Sequence, residues 1–416
     1  MSVSHRLDNA NVLIYSHDSF GLGHLRRCRE IAHALVDHYK GLRVLILSGS
    51  PIIGSFDFKA RVDFVRIPSV VKLYNGDYTS LNEHIDLVQT LSIRESIINH
   101  TARVFKPDLF LVDKEPLGLR GEVKSTLELF RGRDTRVVLG LRDIMDEPGA
   151  LKKEWSKRDI AAVLKNYYDE IWVYGHPTIG NPLDGVGLPS HVVDNLTFTG
   201  YIMRHVPDTP MADWHVPSDP YVLVTTGGGG DGSEMIDWVL RAYESGEPIP
   251  YPALMVLGPF MSSDTRQEFS ERAVLLDNVQ VQTFSPNMER VMQQAVAVVA
   301  MGGYNTFCEI LSFDKKALLV PRSKPRREQL IRAERASERG LVTYLDGDGE
   351  RSTRDMVIAL GKLFDQPLPS HVGIDNMLHG LDTINARVLE LIGGGSDEPD
   401  ASPVDELPVS EVSPLY

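Results

Sequence analysis

A glycine turn in the second half of the sequence carries the clearest signs of chemistry. The stretch VVAMGGYNTFCEILSF runs from apolar residues through Gly302 and Gly303 into an amphipathic helical pattern. Such a turn leaves backbone N–H groups free at the helix start, around Asn305 and Thr306, where they can bind a phosphate. Glu309 follows nearly two helical turns later. It could accept hydrogen bonds from a vicinal diol such as that of ribose, although an acid in this position is more often an ordinary solvated helix residue.

A second glycine turn follows the first apolar run of the chain. The stretch SHDSFGLGHLRRC places Gly21, Gly23 and His24 between a strand-like run and a helical pattern. A Gly-x-Gly pair is weak evidence for a ligand, because tight chain reversal alone could require it. The third glycine of a dinucleotide fingerprint is missing, as is its acid about 20 residues later, so we expect no nicotinamide or flavin cofactor. His24 lies at the helix start, where it could act as a base, bind phosphate or cap the helix.

A third turn, TTGGGGDGSE, holds four consecutive glycines between a strand-like run and a helical pattern. Glycines lose much conformational entropy on folding, so a run of them is costly for a mere turn. Gly227, Gly228 and Gly229 therefore indicate the close approach of a ligand to the backbone, with a flexible hinge as the alternative. No Gly-Lys-Ser or Gly-Lys-Thr follows, which excludes a P-loop.

Two strand ends of the first half carry further candidate groups. The stretch KPDLFLVDKEPLG places Asp113 at the end of an apolar run, where it could act as a general base, cap a helix, or pair with Lys114 or an arginine. The stretch LGLRDIMDEP presents Arg142 and Asp143 at another strand end with the same ambiguity. His24 and Asp113 are thus the two candidate catalytic bases.

Composition narrows the class of protein. The 13 histidines are scattered without ligand spacing, and the DGD motif at residues 346–348 lies in a glycine-rich turn, so we assign no metal. The only two cysteines, Cys28 and Cys308, are far apart in sequence, which rules out a disulfide framework. A formal charge of −14 argues against nucleic-acid binding. Because no apolar run is long enough to span a bilayer and the N-terminus lacks a signal-peptide pattern, we expect a cytoplasmic protein without a transmembrane segment.

The order of apolar runs and helical patterns predicts an α/β protein with two doubly wound parallel sheets. Runs such as NVLIYSH, RVLILSG, DLFLVD and VVLGLRD alternate with helical patterns over residues 1–203, and residues 204–220 form a predicted linker without periodicity. A second alternating series follows in residues 221–375. Residues 376–393 predict a terminal helix. Residues 394–416, which contain no Lys or Arg, predict a disordered acidic tail.

The second half resembles the C-terminal domain of glycosyltransferase family 28, typified by the peptidoglycan N-acetylglucosamine transferase, and the whole pattern resembles the GT-B fold. The resemblance is strongest over residues 221–345, which follow the family's order of a helix, a strand, a glycine turn, a glutamate, a strand ending in proline and a glutamine-bearing helix. It implies that two Rossmann-like domains face a central cleft. The nucleotide-sugar site would then include Gly21, Gly23, Gly227, Gly228, Gly229, Phe284, Met288, Gly302, Gly303, Asn305, Thr306, Glu309, Glu328 and Gln329.

The resemblance also implies a role for each part of this site. The glycine turn would hold the diphosphate, Glu309 would bind ribose, and the backbone of residues 284–288 would recognise uracil. Gln329, with Glu328 before it, would face the hydroxyls of the donor sugar. The family usually has His-Gln where this chain has Glu-Gln, so the donor sugar could differ.

The same resemblance leaves several alternatives open. The stretches GLGHLRRC and KPDLFLVDKEPLG are also similar to the UDP-sugar hydrolases of pseudaminic acid synthesis, which share the fold. An inverting, metal-independent transfer from a UDP-sugar to an unknown acceptor (glycan, lipid-linked or small molecule) is implied first, and peripheral membrane contact stays possible. A nucleotide-sugar hydrolase or epimerase and a non-catalytic binding protein are the alternatives. Arg326 and Arg327 suggest contact with a phosphate or an acidic sugar, unless they are solvated surface residues.

Overall fold

Two parallel β-sheets, one in each half of the chain, form the centre of the protein. The computed structural model describes residues 5–17, 23–72, 78–81, 84–207, 217–228, 230–283 and 287–393. The predicted acidic tail and much of the predicted linker lie outside these residues. The predicted class, an α/β protein with two Rossmann-like domains, is confirmed.

The N-terminal sheet has seven strands, and each strand corresponds to an apolar run of the sequence. They are β1 (Asn11–Ser16), β2 (Arg43–Ser48), β3 (Val62–Arg66), β4 (Leu109–Asp113), β5 (Arg136–Arg142), β6 (Glu170–Tyr174) and β7 (Leu196–Phe198). Their order across the sheet is β3-β2-β1-β4-β5-β6-β7, and all neighbouring pairs are parallel. The strand order reverses between β1 and β4. In open parallel sheets, ligands bind beyond the carboxyl ends of the strands at such a switch point.

The C-terminal sheet repeats this arrangement with six strands. They are β8 (Val222–Thr225), β9 (Ala253–Val256), β10 (Val279–Gln282), β11 (Ala297–Ala300), β12 (Lys316–Leu319) and β13 (Thr343–Tyr344). Their order is β10-β9-β8-β11-β12-β13, again with parallel neighbours. The switch point of this sheet therefore lies between β8 and β11.

Helices connect the strands of both sheets. In the N-terminal half they are α1 (Gly23–His38), α2 (Leu87–Phe105), α3 (Lys124–Phe130), α4 (Pro148–Lys157), α5 (Ile160–Tyr167) and α6 (Ser190–Val193). In the C-terminal half they are α7 (Ser233–Glu244), α8 (Ser263–Ala273), α9 (Met288–Gln294), α10 (Tyr304–Ser312), α11 (Glu328–Glu338), α12 (Thr353–Lys362) and α13 (Gly380–Ile392). Side-chain caps fix several starts: Asp86 accepts the Gln89 N–H before α2, and Ser352 accepts the Asp355 N–H before α12.

The last helix returns to the N-terminal half of the molecule. Helix α13 packs against α1, and the Tyr39 hydroxyl donates to the carbonyl of Asn385 at 2.6 Å. Just before this helix, the Tyr201 N–H donates to the carbonyl of Met377 at 2.7 Å. The chain thus passes between the two sheets twice, and the two passages are hydrogen-bonded together. The predicted terminal helix is present, but it begins at Gly380, and its packing against the first half was not predicted.

The helices give two further results. None of the helices in the described part of the chain has the length and apolarity that crossing a bilayer requires. Cys28 and Cys308 are free thiols buried in α1 and α10. Burial raises the pKa of Cys308 to about 11, so its thiol stays protonated and serves as packing.

Candidate functional site

The residues singled out in the sequence lie at the two switch points. Gly23 and His24 begin α1, which follows β1, and Asp113 ends the neighbouring strand β4. In the other sheet, the four-glycine turn follows β8 and the glycine pair follows β11. The two edges face each other, because Asn305 Nδ2 donates to the Gly23 carbonyl at 3.1 Å. The structure therefore brings the predicted base and the predicted phosphate turn to one cleft.

The partly buried His24 and the buried Asp113 and Arg27 form a cluster on the N-terminal side of this cleft. His24 Nδ1 lies 2.5 Å from Asp113 Oδ2. Arg27, one turn after His24 on the same helix face, donates to Asp113 Oδ1 through Nη2 at 2.7 Å and through Nε at 3.0 Å. Asp113 thus has the arginine partner that the sequence left as an alternative. Sequence reasoning did not identify Arg27, although its three-residue spacing from His24 was an available signal.

The charges of this cluster define the tautomer of His24. Burial alone would raise the pKa of Asp113, but Arg27 and His24 outweigh it and hold that pKa well below its usual range. An ionised carboxylate only accepts hydrogen bonds, so His24 Nδ1 carries the proton and Nε2 has a free lone pair. Arg27 Nη2 is also 3.0 Å from Nδ1, but Nδ1 cannot accept while it donates to Asp113. Burial lowers the pKa of His24 to about 4 despite the nearby Asp113, which keeps the imidazole neutral.

A second buried network supports the floor of the cleft beside His24. The rings of His17 and His24 are edge to face, with centroids 5.7 Å apart. Tyr15 donates to Glu122 at 2.6 Å, and Arg94 holds both oxygens of that carboxylate at 2.6 Å. His17 Nδ1 is 3.4 Å from the Tyr15 hydroxyl, and burial lowers the pKa of His17 well below its usual value. Two neutral imidazoles therefore lie edge to face in the cleft, next to the hydrogen-bonded Tyr15–Glu122–Arg94 network.

The glycine turn after β11 has the geometry of an anion site. Gly302 has φ +77°, a left-handed conformation that favours glycine, and Gly303 is the N-cap of α10. The first backbone bond of α10 runs from Phe307 N–H to the Gly303 carbonyl at 2.9 Å, so the three preceding N–H groups have no acceptor within the helix. Thr306 lies in this first turn. The Asn305 side chain accepts from Arg204 at 2.9 Å, so it joins the two halves of the molecule rather than facing solvent.

Glu309 is not a solvated helix residue. Its side chain is 5% exposed, and its Oε1 accepts from Arg26 Nη2 at 2.6 Å. Arg26 belongs to α1 of the N-terminal half, and it also pairs with Glu289 at the start of α9. Burial raises the pKa of Glu309, while Arg26 opposes that shift. The predicted ribose acid is therefore paired, across the cleft, with an arginine that the sequence did not single out.

Helix α11 places the predicted donor-sugar residues at its first turn. Glu328 is 4% exposed; its Oε1 accepts from Arg322 Nη2 at 2.9 Å, and its buried Oε2 has no partner among the described residues. Gln329 Oε1 accepts the Arg322 N–H at 3.3 Å, and its Nε2 lies near Gly303. Gln329 thus reaches the glycine turn from the first turn of α11.

A fully buried ion pair between Arg332 and Asp143 joins the two halves of the molecule next to these residues. Arg332 donates to both oxygens of Asp143, from Nη2 at 2.6 Å and from Nε at 2.7 Å. Its Nη1 donates to the Gly302 carbonyl at 2.9 Å, and the Tyr201 hydroxyl donates to Asp143 at 2.7 Å. Asp143, one of the ambiguous strand-end residues, therefore holds α11 and the glycine turn against the N-terminal sheet.

Arg326 and Arg327 differ from each other. Arg326 donates to Asp146 at 3.2 Å and to Glu154 at 2.9 Å, both in the N-terminal half. Arg327 is half exposed and lies 3.7 Å from Glu147. The structure thus gives Arg326 carboxylate partners across the cleft, where the sequence suggested either a phosphate contact or a solvated surface residue.

A pocket of about 370 Å³ opens beside the four-glycine turn. Gly227 has φ +69°, which favours glycine, and a Cβ on Gly228 would lie 3.3 Å from Phe260. The pocket lies where α7, β12 and the turn before α12 meet. Its lining includes Asp231, Glu234, Met301, Pro321, Arg322, Lys324, Asp348 and Arg351.

The remaining candidates are placed as follows. Met288 begins α9 and packs against the core. Gly21, Gly229 and Phe284 lie outside the described residues. In the DGD turn, the Asp346 side chain accepts the Asp348 N–H at 2.9 Å. The described part of the chain contains no group of three or more His, Cys, Asp or Glu side chains that could hold a metal ion.

The C-terminal sheet matches a known family. Residues 222–367 match the Glycosyltransferase family 28 C-terminal domain, which confirms the resemblance noted in the sequence over that region. The match includes the four-glycine turn, the glycine pair, Glu309 and α11. No curated protein matches the chain by sequence.

Solved structures share the whole two-domain fold. The glycosyltransferase of kitacinnamycin has a TM-score of 0.65 at 16% identity, over 92% of this chain and 99% of that one. MurG of Acinetobacter baumannii has a TM-score of 0.58 at 13% identity, over 92% and 99%. Medicago truncatula UGT71G1, solved with UDP-glucose, has a TM-score of 0.61 at 15% identity, over 92% and 99%. The fold of the chain is therefore the GT-B fold.

Proposed function

We propose that the protein is a glycosyltransferase that moves a sugar from a nucleotide-sugar donor, with UDP as the nucleotide, to an acceptor hydroxyl. The carrying observation is the placement of the His24–Asp113 pair at one switch point, opposite the Gly302–Gly303 turn and Glu309 at the other. The family match of residues 222–367 supports a nucleotide-sugar site in the C-terminal half. The solved complex of UGT71G1 with UDP-glucose supports the choice of UDP.

In the proposed reaction, the chain supplies a base and an anion site. The acceptor hydroxyl gives its proton to His24 Nε2 as its oxygen bonds to C1 of the donor sugar. The bond from C1 to the β-phosphate oxygen breaks, and its electron pair leaves with the diphosphate. Attack on the face opposite the leaving group inverts the anomeric centre. Asp113 holds His24 in the required tautomer and stabilises the imidazolium that forms.

The diphosphate is proposed to lie at the start of α10. The N–H groups there and the positive end of the helix dipole would stabilise its negative charge, so the scheme needs no metal ion. Glu309 would accept from the ribose hydroxyls after it exchanges its bond with Arg26. Glu328 Oε2 and Gln329 would meet hydroxyls of the donor sugar.

The test is nucleotide release from a panel of donors. The purified protein is incubated with UDP-sugars and dTDP-sugars, with and without cell extract as the acceptor source, and free nucleoside diphosphate is measured. The dTDP-sugars are included because the similar glycosyltransferase VinC was solved with dTDP. UDP release that depends on extract is the expected result. Equal release without extract would identify a hydrolase, and tight UDP binding without turnover would identify a binding protein.

A further inference from the structure

Arg142 is a cation at a strand end for which the described part of the chain provides no ion-pair partner. It ends β5, where it pairs with Tyr174 of β6, two residues beyond the level at which Asp113 of β4 pairs with Gly140. Its side chain is partly buried, and its Nε is fully buried without a hydrogen bond. Among the described residues, no side chain forms an ion pair with its guanidinium. An uncompensated guanidinium in a partly dry cleft is costly unless a ligand pairs with it.

The charges around Arg142 are already paired with one another. The neighbouring guanidinium groups are already matched by carboxylates: Arg27 by Asp113, Arg332 by Asp143, and Arg322 by Asp231 and Glu328. These pairs leave Arg142 as an unmatched positive charge. Burial lowers the pKa of Arg142, Glu328 acts to raise it, and the positive charges of Arg27 and Arg332 lower it further. The local field therefore favours an incoming negative group.

The fold places Arg142 next to the glycine turn. Asp143, the adjacent residue, is held by Arg332, and the same Arg332 donates to the Gly302 carbonyl at 2.9 Å. Glu328 lies one turn before Arg332 on the same face of α11. These contacts fix the end of β5 against the start of α11 and the turn before α10. The guanidinium of Arg142 is close enough to this junction for the charges of Glu328, Arg332 and Asp143 to act on it.

We infer that Arg142 binds the diphosphate of the nucleotide donor, so that this anion is held between the Gly302–Gly303 turn of one half and an arginine of the other. The inference rests on the proposed function. Glu328 does not oppose such binding, because its charge is matched by Arg322 at 2.9 Å. A guanidinium suits this role because its planar fork can hold two phosphate oxygens at once. Binding of the donor would then also stabilise the closed arrangement of the two halves.

The experiment compares three ligands on three proteins by titration calorimetry. UDP, uridine and inorganic pyrophosphate are titrated into the wild type, Arg142→Gln and the control Arg327→Gln. The control removes the same charge from a half-exposed position. We expect Arg142→Gln to weaken UDP and pyrophosphate binding at least tenfold and to leave uridine binding within twofold. Arg327→Gln should leave all three within twofold. Because Arg142 has no ion-pair partner among the described residues, the Arg142→Gln variant should unfold at the same temperature as the wild type.

The outcomes separate this inference from the proposed function. Unchanged UDP and pyrophosphate binding in Arg142→Gln overturns the inference and leaves the function standing. An equal loss for uridine and UDP also overturns it, because that result indicates a structural role. A wild type that binds pyrophosphate through Arg142 but does not bind UDP supports the anion site and overturns the proposed function with UDP as its nucleotide. A wild type that binds neither overturns both.

Discussion

Arg26 donates to Glu309 at 2.6 Å across the cleft, although the two residues are 283 positions apart in the chain. Arg26 belongs to α1 of the N-terminal half and Glu309 to α10 of the C-terminal half. The bond uses the Glu309 carboxylate, which is proposed to bind ribose. Under the proposed function, a donor nucleotide would compete with Arg26 for Glu309. This competition makes the carboxylate a measurable point of donor binding.

We predict that Glu309→Gln weakens UDP binding about tenfold. A hydrogen bond to a charged group contributes about 1.5–3 kcal/mol, whereas a bond to the neutral amide of glutamine contributes about 0.5–1.5 kcal/mol. Gln is used because Glu309 is buried and paired, so that truncation to alanine would leave Arg26 without this partner. Titration calorimetry measures the affinity. Glu289→Gln is the matched control: it removes the other carboxylate of Arg26 and should change UDP affinity by less than about threefold. Equal losses in the two variants would assign the effect to Arg26.

The second prediction concerns His24 as a base. His24→Gln should lower kcat by about 10²–10⁴-fold, with a smaller change in KM, because the variant cannot take the acceptor proton. In the wild type, kcat/KM should stay high below the ordinary histidine pKa and fall only near the His24 pKa of about 4. Activity measured across pH 4–8 with the donor identified in the release assay tests both parts. A limb near pH 6.5 would contradict the buried, neutral imidazole.

The same residue predicts a pH dependence of stability. The pKa of His24 is about 4 in the folded chain and near 6.5 in the unfolded chain, so the unfolded state binds more protons between these values. The stabilising contribution is complete above about pH 6.5, decreases as the pH falls from there towards 4, and is lost below about 4. Urea unfolding of the wild type and His24→Gln should therefore converge at low pH. Burial also lowers the pKa of His33 to about 4, and the comparison of the two proteins removes that shared contribution.

The sequence was sufficient for the fold and for the glycine turns. The strands are continuous apolar runs, since both faces of a parallel sheet are covered. The turns are marked by glycines, which left-handed and tightly approached backbone positions favour. The positions of His24 at a helix start and Asp113 at a strand end could be predicted, because the carboxyl ends of parallel strands meet at one edge, whereas their catalytic roles stay a prediction.

The pairing of the two halves could not be predicted. Arg26 and Arg27 lie in the quoted GHLRRC segment, but nothing local indicates that one faces Glu309 and the other Asp113. Arg332 finds Asp143 at a separation of 189 positions, through the docking of one sheet against the other. Helical periodicity assigns a residue to a face, whereas the partner of that face depends on tertiary contacts. For a charged residue whose partner is distant in the chain, the local sequence pattern therefore predicts a solvent-exposed position.

The fourth prediction separates ligand approach from backbone strain in the glycine turn. A Cβ on Gly303 would meet nothing closer than Gln329 Nε2 at 4.0 Å, so Gly303→Ala should keep the unfolding temperature while lowering UDP affinity about tenfold, since it narrows the approach to the helix start. Gly302→Ala is the contrasting variant. Its φ of +77° and a Cβ contact of 3.0 Å with Leu319 predict a loss of about 1 kcal/mol or more in the free energy of unfolding. Calorimetry and thermal unfolding measure the two quantities. Full UDP affinity in Gly303→Ala would place the diphosphate elsewhere.

The fifth prediction concerns the buried pair of Asp143 and Arg332. Both side chains have no exposed area, so Asp143→Ala should lower the free energy of unfolding by about 3–5 kcal/mol, because it leaves Arg332 as an uncompensated buried charge. Arg332→Met should destabilise the protein for the converse reason. The double variant should be more stable than the sum of the single losses predicts, with a coupling energy of about 1–3 kcal/mol, since neither charge is then left alone. Chemical unfolding of the four proteins of this cycle measures the coupling. Additive losses would mean that the pair does not hold the two halves together.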